Sequence, residues 1–323
     1  MKLIIVTGLS GSGKSVAIRQ LEDSGYYCID NLPLSFLIPV AKALQQTQDY
    51  VAFAVDARSD FEGYAPEKLI EELNAQKDWD VRVLFLTAST QELIQRFSET
   101  RRRHPLTLRF SAGNEKVTLS EVITRERELL EPYSVQAHVL DTTHLQSNTL
   151  RTWVKDFADA PHADLSLTFE SFGYKHGIPT AADLVFDVRN LPNPYYDPQL
   201  RPLTGQDEAI VEFMQKQPMV TEMVKDIEFF IEKWLPSYQA TNRHYLTVAI
   251  GCTGGQHRSV YVAETLAKYF AQKLPSVAIR HRIIGQAKKR SNRPLIGAGS
   301  PMSGNSATFA HRSSFFTVSG FLI

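Results

Sequence analysis

The stretch Gly8-Leu9-Ser10-Gly11-Ser12-Gly13-Lys14-Ser15 decides the fold of this 323-residue chain. It follows the short β-branched run Lys2–Thr7 and precedes a helical pattern that ends near Gly25. Its spacing is the Walker A pattern: the glycines let successive backbone N–H groups turn inward, and the helix N-terminus adds its positive dipole end. We therefore predict a phosphate-binding loop at residues 8–15; the alternative is an ordinary glycine-rich turn.

Within this loop, Lys14 is predicted to reach the β- and γ-phosphates of a nucleotide, and the Ser15 hydroxyl to ligate Mg²⁺. A carboxylate is also needed near the metal, and Asp56 follows the apolar strand Val51–Val55 as Walker B geometry requires. Asp30, after a weaker strand, is the alternative to the favoured Asp56. No Asn-Lys-x-Asp guanine signature occurs, so ATP and GTP both stay candidates.

Strand and helix patterns alternate through the first half of the chain. Continuous apolar runs such as Val81–Leu86 have the length and composition of buried parallel strands. Thr118 and Glu121 have capping-box spacing and predict a helix to Glu131, where Pro132 would stop it. The fold class predicted for residues 1–158 is an α/β P-loop kinase-like domain with a parallel sheet.

Basic residues lie on or after the helix that follows the fourth strand. In small P-loop kinases, arginines in this region stabilise the charge of the transferring phosphate. A solvated basic helix face is the equal alternative. The residues are Arg96, Arg101, Arg102, Arg103 and His104.

Residues 158–163 interrupt the periodicity, and strand and helix patterns resume after them. The runs Leu165–Phe172, Leu184–Val188 and Tyr245–Ile250 read as strands, and a helix is predicted from Ser259. We expect a second, smaller α/β domain over residues 164–283. Residues 284–323, first basic and then rich in Ser and Gly, are predicted to be a disordered tail.

A second glycine loop, at residues 251–259, also joins a strand to a helix. Its small residues and an arginine suit an anion. It also has the Cys-x5-Arg spacing of Cys-dependent phosphatases, with Cys252 as the nucleophile, and a plain tight turn is a third interpretation. The predicted anion-binding residues are Thr253, Gly254, Gly255, His257, Arg258 and Ser259, with His176 and Arg201 from earlier loops.

The net charge of zero conceals an uneven distribution. Nine Lys and Arg residues and no acidic residue follow Glu264, so residues 1–264 carry a charge of −9. A basic end of this kind suits a polyanion, and no base-reading motif accompanies it, so recognition of RNA backbone and shape is favoured over a solvated tail. The predicted RNA-binding residues are Lys273, Arg280, His281, Arg282, Lys288, Lys289 and Arg290.

Composition excludes several classes of protein. The two cysteines, Cys28 and Cys252, suggest neither a disulfide framework nor a zinc site. No apolar run approaches the roughly 20 residues that cross a bilayer, and the N-terminus lacks a signal-peptide pattern. We expect a cytoplasmic protein without membrane contact.

Together these features resemble the RapZ/YvcJ family of bacterial nucleotide-binding RNase adapter proteins. The resemblance spans residues 1 to 282 and is far more specific than the Walker pattern alone. It rests on the stretches 8–15, 25–33 (GYYCIDNLP), 100–106 (TRRRHPL), 169–177 (FESFGYKHG), 186–189 (FDVR), 191–194 (LPNP) and 251–259.

The resemblance implies a P-loop domain that binds and slowly hydrolyses ATP or GTP with Mg²⁺. The family's second nucleotide segment falls on Asp56, Ala57, Arg58 and Ser59. The second domain is expected to bind a small regulatory RNA, to sense an amino-sugar phosphate, and to present the RNA to an endoribonuclease such as RNase E. A homo-oligomer is also implied. A small-molecule kinase and a Cys252-dependent phosphatase are the alternatives from other classes.

Two stretches depart from the family pattern. Tyr195-Tyr196 stands where enterobacterial members carry a His-aromatic pair. Family members usually end soon after the Arg-His-Arg sequence found here at 280–282, whereas residues 283–323 do not follow that ending. We interpret this remainder as an extension produced by a shifted or read-through reading frame, a hypothesis that mass mapping of the native C-terminus would test.

Overall fold

The computed structural model describes residues 1–56, 66–111, 117–135, 137–160, 165–240 and 244–284. The predicted tail at 284–323 therefore lies almost entirely outside the described residues. Nine strands are described in this part of the chain: β1 Lys2–Gly8, β2 Tyr27–Ile29, β3 Tyr50–Ala54, β4 Asp80–Thr87, β5 His138–Asp141, β6 Ser166–Gly173, β7 Leu184–Asp187, β8 Tyr245–Cys252 and β9 Val277–His281.

Ten α-helices connect these strands within the same described ranges. They are α1 Lys14–Asp23, α2 Leu34–Leu44, α3 Pro66–Asn74, α4 Thr90–Thr100, α5 Thr107–Phe110, α6 Leu119–Ser134, α7 Ser147–Asp159, α8 Glu208–Gln215, α9 Pro218–Ala240 and α10 Arg258–Phe270. None of the described helices has the combination of length and apolar character that a bilayer crossing requires.

The first five strands form one parallel sheet in the order β2-β3-β1-β4-β5. β1 is central, and its buried residues alternate between two cores: Leu3 and Ile5 face one helical layer, and Ile4 and Val6 face the other. The predicted α/β fold with a parallel sheet is confirmed. Because parallel strands end at a common edge, the loop after β1 opens beside those after β3 and β4.

The last four strands form a second parallel sheet in the order β7-β8-β6-β9. Its core packs α8, α9 and α10 against β6 and β8. The loops that follow β6 and β8 lie side by side, since Phe172 and Gly173 pair with Gly251 and Cys252. The second α/β unit predicted from the sequence is thus present.

The helix that begins at the Thr118 capping box continues to Ser134, so the prediction that Pro132 stops it is wrong. Proline removes one N–H donor and crowds the carbonyl four residues earlier, but a helix already formed can extend a few residues past it.

The two sheets meet through their edge strands β5 and β9. Arg280 Nη2 lies 2.8 Å from His138 Nε2, and its guanidinium covers the Trp153 ring at 5.2 Å. Tyr245 packs edge-on against the His138 ring at 4.8 Å between centroids. Burial and the Arg280 charge lower the pKa of His138 well below its ordinary value. His138 therefore stays neutral and accepts the Arg280 hydrogen bond.

Candidate functional site

The loop at residues 8–15 connects the end of β1 to the first turn of α1. Gly8, Gly11 and Gly13 have φ angles of 123°, 82° and 109°, in the left-handed region where glycine is favoured. A Cβ on Gly8 would overlap the backbone of Leu86 in β4, and a Cβ on Gly13 would lie 2.8 Å from Leu150 Cδ2. The glycines are thus required by both backbone conformation and close packing.

Lys14 curls back over the loop. Its Nζ donates to the carbonyl oxygens of Gly8 at 2.7 Å and Leu9 at 3.1 Å. A nucleotide phosphate bound at the loop would compete with these two carbonyls for the ammonium group.

A cavity of about 710 Å³ opens in front of the loop. It is lined by residues 10–16 of the loop and α1, by Asp56 after β3, and by the basic residues Arg96, Arg102 and Arg103. Ser15 and Asp56 thus face one space and supply the oxygen atoms that Mg²⁺ prefers. Asp30 is exposed and is not among the cavity residues. Ala57, Arg58 and Ser59 lie outside the described residues.

Arg96 ties the cavity wall to the loop. Its Nη1 donates to the Gly11 carbonyl at 3.1 Å and to Thr142 Oγ1 at 3.0 Å, and its Nη2 donates to the Thr142 carbonyl at 2.6 Å. Glu92, one turn earlier on α4, pairs with Arg96 at 3.0 Å. Thr142 itself donates to the Ser12 carbonyl at 2.9 Å. Thr142 is not predictable from the sequence, because no local pattern marks its contact with a loop 130 residues away.

A buried carboxylate also contacts the loop. Glu126 on α6 accepts hydrogen bonds from the backbone N–H and hydroxyl of Ser10, and it contacts His104 at 3.0 Å. Glu126 is not among the predicted site residues, although a fully buried Glu on an amphipathic helix is a recognisable departure from the usual pattern.

The second glycine loop joins β8 to α10. Cys252 is buried, and its Sγ accepts the Gly255 N–H at 3.2 Å and lies 3.2 Å from Ser259 Oγ. A Cβ on Gly173 would lie 2.7 Å from the Gly254 carbonyl carbon, so the β6 loop packs tightly on this turn. Thr253 is the exposed residue of the loop.

Arg258, a predicted anion-binding residue, instead contacts the backbone of neighbouring loops. Its Nη1 donates to the carbonyls of Arg189 at 2.6 Å and Leu191 at 3.0 Å, and only 5% of the residue is exposed. His257 is also buried and lies 3.2 Å from the Arg201 carbonyl. Both side chains hold neighbouring loops in place through their contacts with these backbone carbonyls. Because Cys252 is buried and the Arg258 guanidinium donates to protein carbonyls, this geometry does not present the exposed thiol and anion clamp that the Cys252 phosphatase alternative needs.

The two more distant candidates lie on different sides of this loop. His176 is exposed next to Lys175, whose backbone N–H donates to the Thr253 carbonyl at 3.3 Å. Burial, Lys175 and His144 lower the pKa of His176. The Arg201 guanidinium covers the Tyr195 ring at 4.8 Å.

The predicted basic RNA surface requires correction at Arg280 and Arg282. Arg280 is buried against His138, as described above. Arg282 donates to Glu170 Oε1 at 2.9 Å and to the carbonyls of Asp141 at 3.2 Å and Thr143 at 2.8 Å. Buried carboxylates need such a cation, so both arginines stabilise the contact between the two domains.

The remaining basic candidates are divided. His281 contacts Ser171 at 2.7 Å and Glu264 at 3.2 Å. Lys273 is half-exposed and pairs with Glu232 on α9. Lys288, Lys289 and Arg290 lie outside the described residues.

Comparison with known proteins places both units in one family. Residues 1–160 match the RapZ-like N-terminal domain, and residues 165–285 match the RapZ C-terminal domain. A protein from Ralstonia nicotianae named as a nucleotide-binding protein is 55% identical over 294 residues, which covers 87% of this chain and 98% of that protein. A nucleotide-binding protein from Paraburkholderia phymatum is 54% identical over 288 residues, or 87% and 95% of the two chains.

Solved structures with a similar arrangement include a shikimate kinase from Bacteroides thetaiotaomicron, 14% identical, which covers 49% of this chain and 98% of its own with a TM-score of 0.34. A gluconokinase from Sinorhizobium meliloti is 19% identical and covers 47% of this chain and 89% of its own with a TM-score of 0.32. With both of its domains matched and with relatives more than half identical along most of its length, the chain belongs to the RapZ family of nucleotide-binding proteins.

Proposed function

We propose that this chain is a cytoplasmic regulator that binds ATP or GTP with Mg²⁺ and uses its second domain to hold a small regulatory RNA. It presents the RNA to an endoribonuclease similar to RNase E, and thereby adjusts amino-sugar synthesis. In this proposal the chain is a weak ATPase or GTPase, acts as a homo-oligomer, and senses an amino-sugar phosphate at the second glycine loop. Membership of the RapZ family across both domains carries the proposal.

The nucleotide part is supported by the chemistry of the cavity. The loop amides and Lys14 suit the phosphates of a nucleotide. Ser15 and Asp56 suit Mg²⁺, which would neutralise part of the phosphate charge. Residues 57–59 are proposed to complete this site.

A regulatory role is supported by a contact between the domains right beside the loop. Thr142 donates to the loop carbonyl of Ser12, and the preceding residue, Asp141, lies 3.8 Å from Arg282 of the second domain. Asp141 Oδ2 also accepts the backbone N–H of Thr180 at 2.8 Å. A change in the loop on nucleotide binding would therefore reach the second domain through two adjacent residues.

The burial of Arg280 and the contacts of Arg282 with Glu170 and Asp141 change where RNA contact is proposed. We assign it to the basic residues Lys288, Lys289 and Arg290, with Lys273 and His281 at the border of the surface. The exposed face of the second glycine loop, around Thr253, Gly254 and His176, is proposed for the sugar phosphate.

The nucleotide site is tested by Lys14→Ala, which should abolish ATP and GTP binding in isothermal titration calorimetry, because the ammonium group is the loop's own counter-charge for phosphate. Unchanged affinity would remove the assignment of this loop.

The RNA assignment is tested by deleting residues 285–323, which leaves every described strand and helix in place. RNA affinity should fall and its dependence on salt should flatten, since fewer phosphates are neutralised. A deletion that began at residue 271 would remove β9 and confuse binding with folding. If affinity and salt slope are unchanged, the RNA is bound elsewhere.

One observation favours a second candidate, a small-molecule kinase. The cavity extends beyond the phosphate loop to Arg102, Arg103 and Pro105, which leaves room for an acceptor beside a nucleotide. ATP turnover that rises steeply with a single metabolite would support this candidate over the regulator.

A further inference from the structure

Glu126 is an acidic residue that is 0% exposed and lies beside a loop suited to anions. A buried carboxylate is costly unless several donors satisfy it. Here the backbone N–H of Ser10 lies 3.1 and 3.0 Å from the two carboxylate oxygens, and the Ser10 hydroxyl donates to Oε1 at 2.6 Å. Both polar groups at the tip of the phosphate loop are therefore committed to one side chain on α6.

His104 completes the satisfaction of this carboxylate. The backbone N–H of Leu106 donates to His104 Nδ1 at 3.2 Å, so Nδ1 is the acceptor nitrogen of the ring. Nε2 must then carry the proton, and it donates to Glu126 Oε2 at 3.0 Å. The His104 side chain is fully buried, and its ring packs on Phe97 of α4 at 5.1 Å between centroids. The tautomer and the direction of the hydrogen bond are thus set by the fold.

His104 directly follows the basic segment Arg101–Arg103, in which Arg102 and Arg103 line the nucleotide cavity. Glu126 thus joins two groups that would both face the phosphates: the loop tip through Ser10, and the arginine segment through His104. If this position served packing alone, an apolar side chain would suit it better. Such a side chain would avoid the free-energy cost of burying a charge and also the repulsion between the carboxylate and a nearby phosphate.

We propose that Glu126 and His104 are positioning residues of the nucleotide site. They hold the phosphate loop open for a ligand and set the arginine segment over its phosphates, without touching the nucleotide themselves. This inference rests on the proposed use of residues 8–15 for a nucleotide.

The first test is Glu126→Gln, which keeps the shape of the side chain. An amide offers one acceptor and one donor, so its NH2 group must face either the Ser10 donors or the His104 Nε2–H, and one of the two links is lost. We expect binding of ATP with Mg²⁺ to weaken roughly 10- to 100-fold, the range for loss of a hydrogen bond to a charged group. Simple loss of negative charge would instead strengthen phosphate binding, so the two effects have opposite signs.

The matched control is Glu128→Gln, the same substitution on the exposed side of α6, which should bind ATP as the wild type does. Ser10→Ala tests the same link from the loop and leaves α6 intact, so the proposal stays testable if Glu126→Gln does not fold. Wild-type affinity in folded Glu126→Gln or Ser10→Ala protein would overturn it.

A double-mutant cycle separates positioning from general stability. If Glu126 sets the arginine segment, Arg103→Ala should weaken ATP binding less in the Glu126→Gln background than in the wild type. Fully additive losses would overturn the proposed link between Glu126 and the arginine segment. Lys14→Ala serves as the reference. If Lys14→Ala leaves ATP affinity unchanged, the assignment of the loop to a nucleotide fails. If Lys14→Ala abolishes ATP binding and Glu126→Gln binds ATP as the wild type does, only the positioning role is overturned.

Discussion

Gly8 is the residue at which backbone conformation and packing are most demanding. Its φ of 123° and its contact with the Leu86 backbone leave no room for a side chain. We predict that Gly8→Ala lowers the free energy of unfolding by about 3 kcal/mol or more, measured by urea denaturation. Gly25→Ala is the control: its φ is 89° but no atom lies within 4 Å of an added Cβ, so only conformational strain of about 1–2 kcal/mol is expected. Equal losses in both variants would contradict the packing argument.

The lowered pKa of His138 should make the free energy of unfolding depend on pH. Its folded-state pKa is lowered by burial and by Arg280, whereas the unfolded chain binds a proton near pH 6.5. The unfolded state therefore takes up more protons on acidification, and the free energy of unfolding should fall as the pH drops from about 7 to about 5.

His138→Gln should reduce this slope in urea titrations at several pH values. His176 and His257 also have lowered pKa values, so part of the slope should persist in the His138 variant. A slope unchanged by His138→Gln would show that other groups cause it.

Residue-level reasoning from the sequence identified Lys14, Ser15 and Asp56, and the structure brings the three to one cavity. Their types follow from phosphate and metal chemistry at fixed spacing. Glu126 and Thr142 were not predicted, because their partners are distant along the chain. Glu126 on α6 and Thr142 directly after β5 reach the loop only through the packing of these elements. Arg280 and Arg282 were assigned to the surface because no acidic residue lies near them in the sequence. Their partners in the fold are more than a hundred residues away along the chain.

At the scale of single elements, the capping box of α6 is the clearest device. Thr118 Oγ1 accepts the Glu121 N–H at 3.3 Å, and Glu121 Oε2 accepts the Thr118 N–H at 2.7 Å. The Thr118 N–H and the Thr118 hydroxyl both donate to this carboxylate, and these two bonds lower the pKa of Glu121. Thr118→Ala should cost about 1 kcal/mol in thermal unfolding, the usual worth of an N-cap.

Thr124→Ala on the same helix is the control. Thr124 Oγ1 donates to the Ser120 carbonyl within the helix, and alanine has the higher helix propensity, so little or no loss is expected. A loss in Thr124→Ala as large as in Thr118→Ala would mean that the cap is not the cause. The start of α6 was predictable because capping is local. Its end was not, because a proline does not by itself set the last turn.

At the scale of the whole molecule, Arg282 connects the domains. It faces Glu170 of its own sheet and Asp141 of the other, both of them nearly fully buried. Arg282→Ala would leave two buried carboxylates without their cation, a loss of about 3–5 kcal/mol. In differential scanning calorimetry we expect the domains to unfold in separate transitions. Lys268→Ala, which removes an exposed cation from α10, should unfold as the wild type does; a single unshifted transition in Arg282→Ala would contradict the connecting role.

The two-domain α/β plan was predictable because strand and helix periodicities are strong along both halves of the chain. The contact between the halves was not, since it depends on how the edges of two sheets meet. Tyr245 illustrates the difference: it reads as the first residue of a strand, and it packs on His138 and Phe157 of the other domain.

The pairing of β9 has a consequence for biosynthesis. β9 completes the second sheet beside β6, which precedes it by more than a hundred residues. Arg280 in β9 and Arg282 just after it are the arginines that reach β5. During translation, the whole nucleotide domain emerges from the ribosome and can fold long before these arginines emerge. Until then Asp141 and Glu170 lack the Arg282 guanidinium that pairs with them in the folded protein. We therefore expect docking of the domains to be among the last steps of folding. A ribosome that stalls before codon 277 would therefore leave a chain whose nucleotide loop is formed but whose second domain is open to proteases and chaperones.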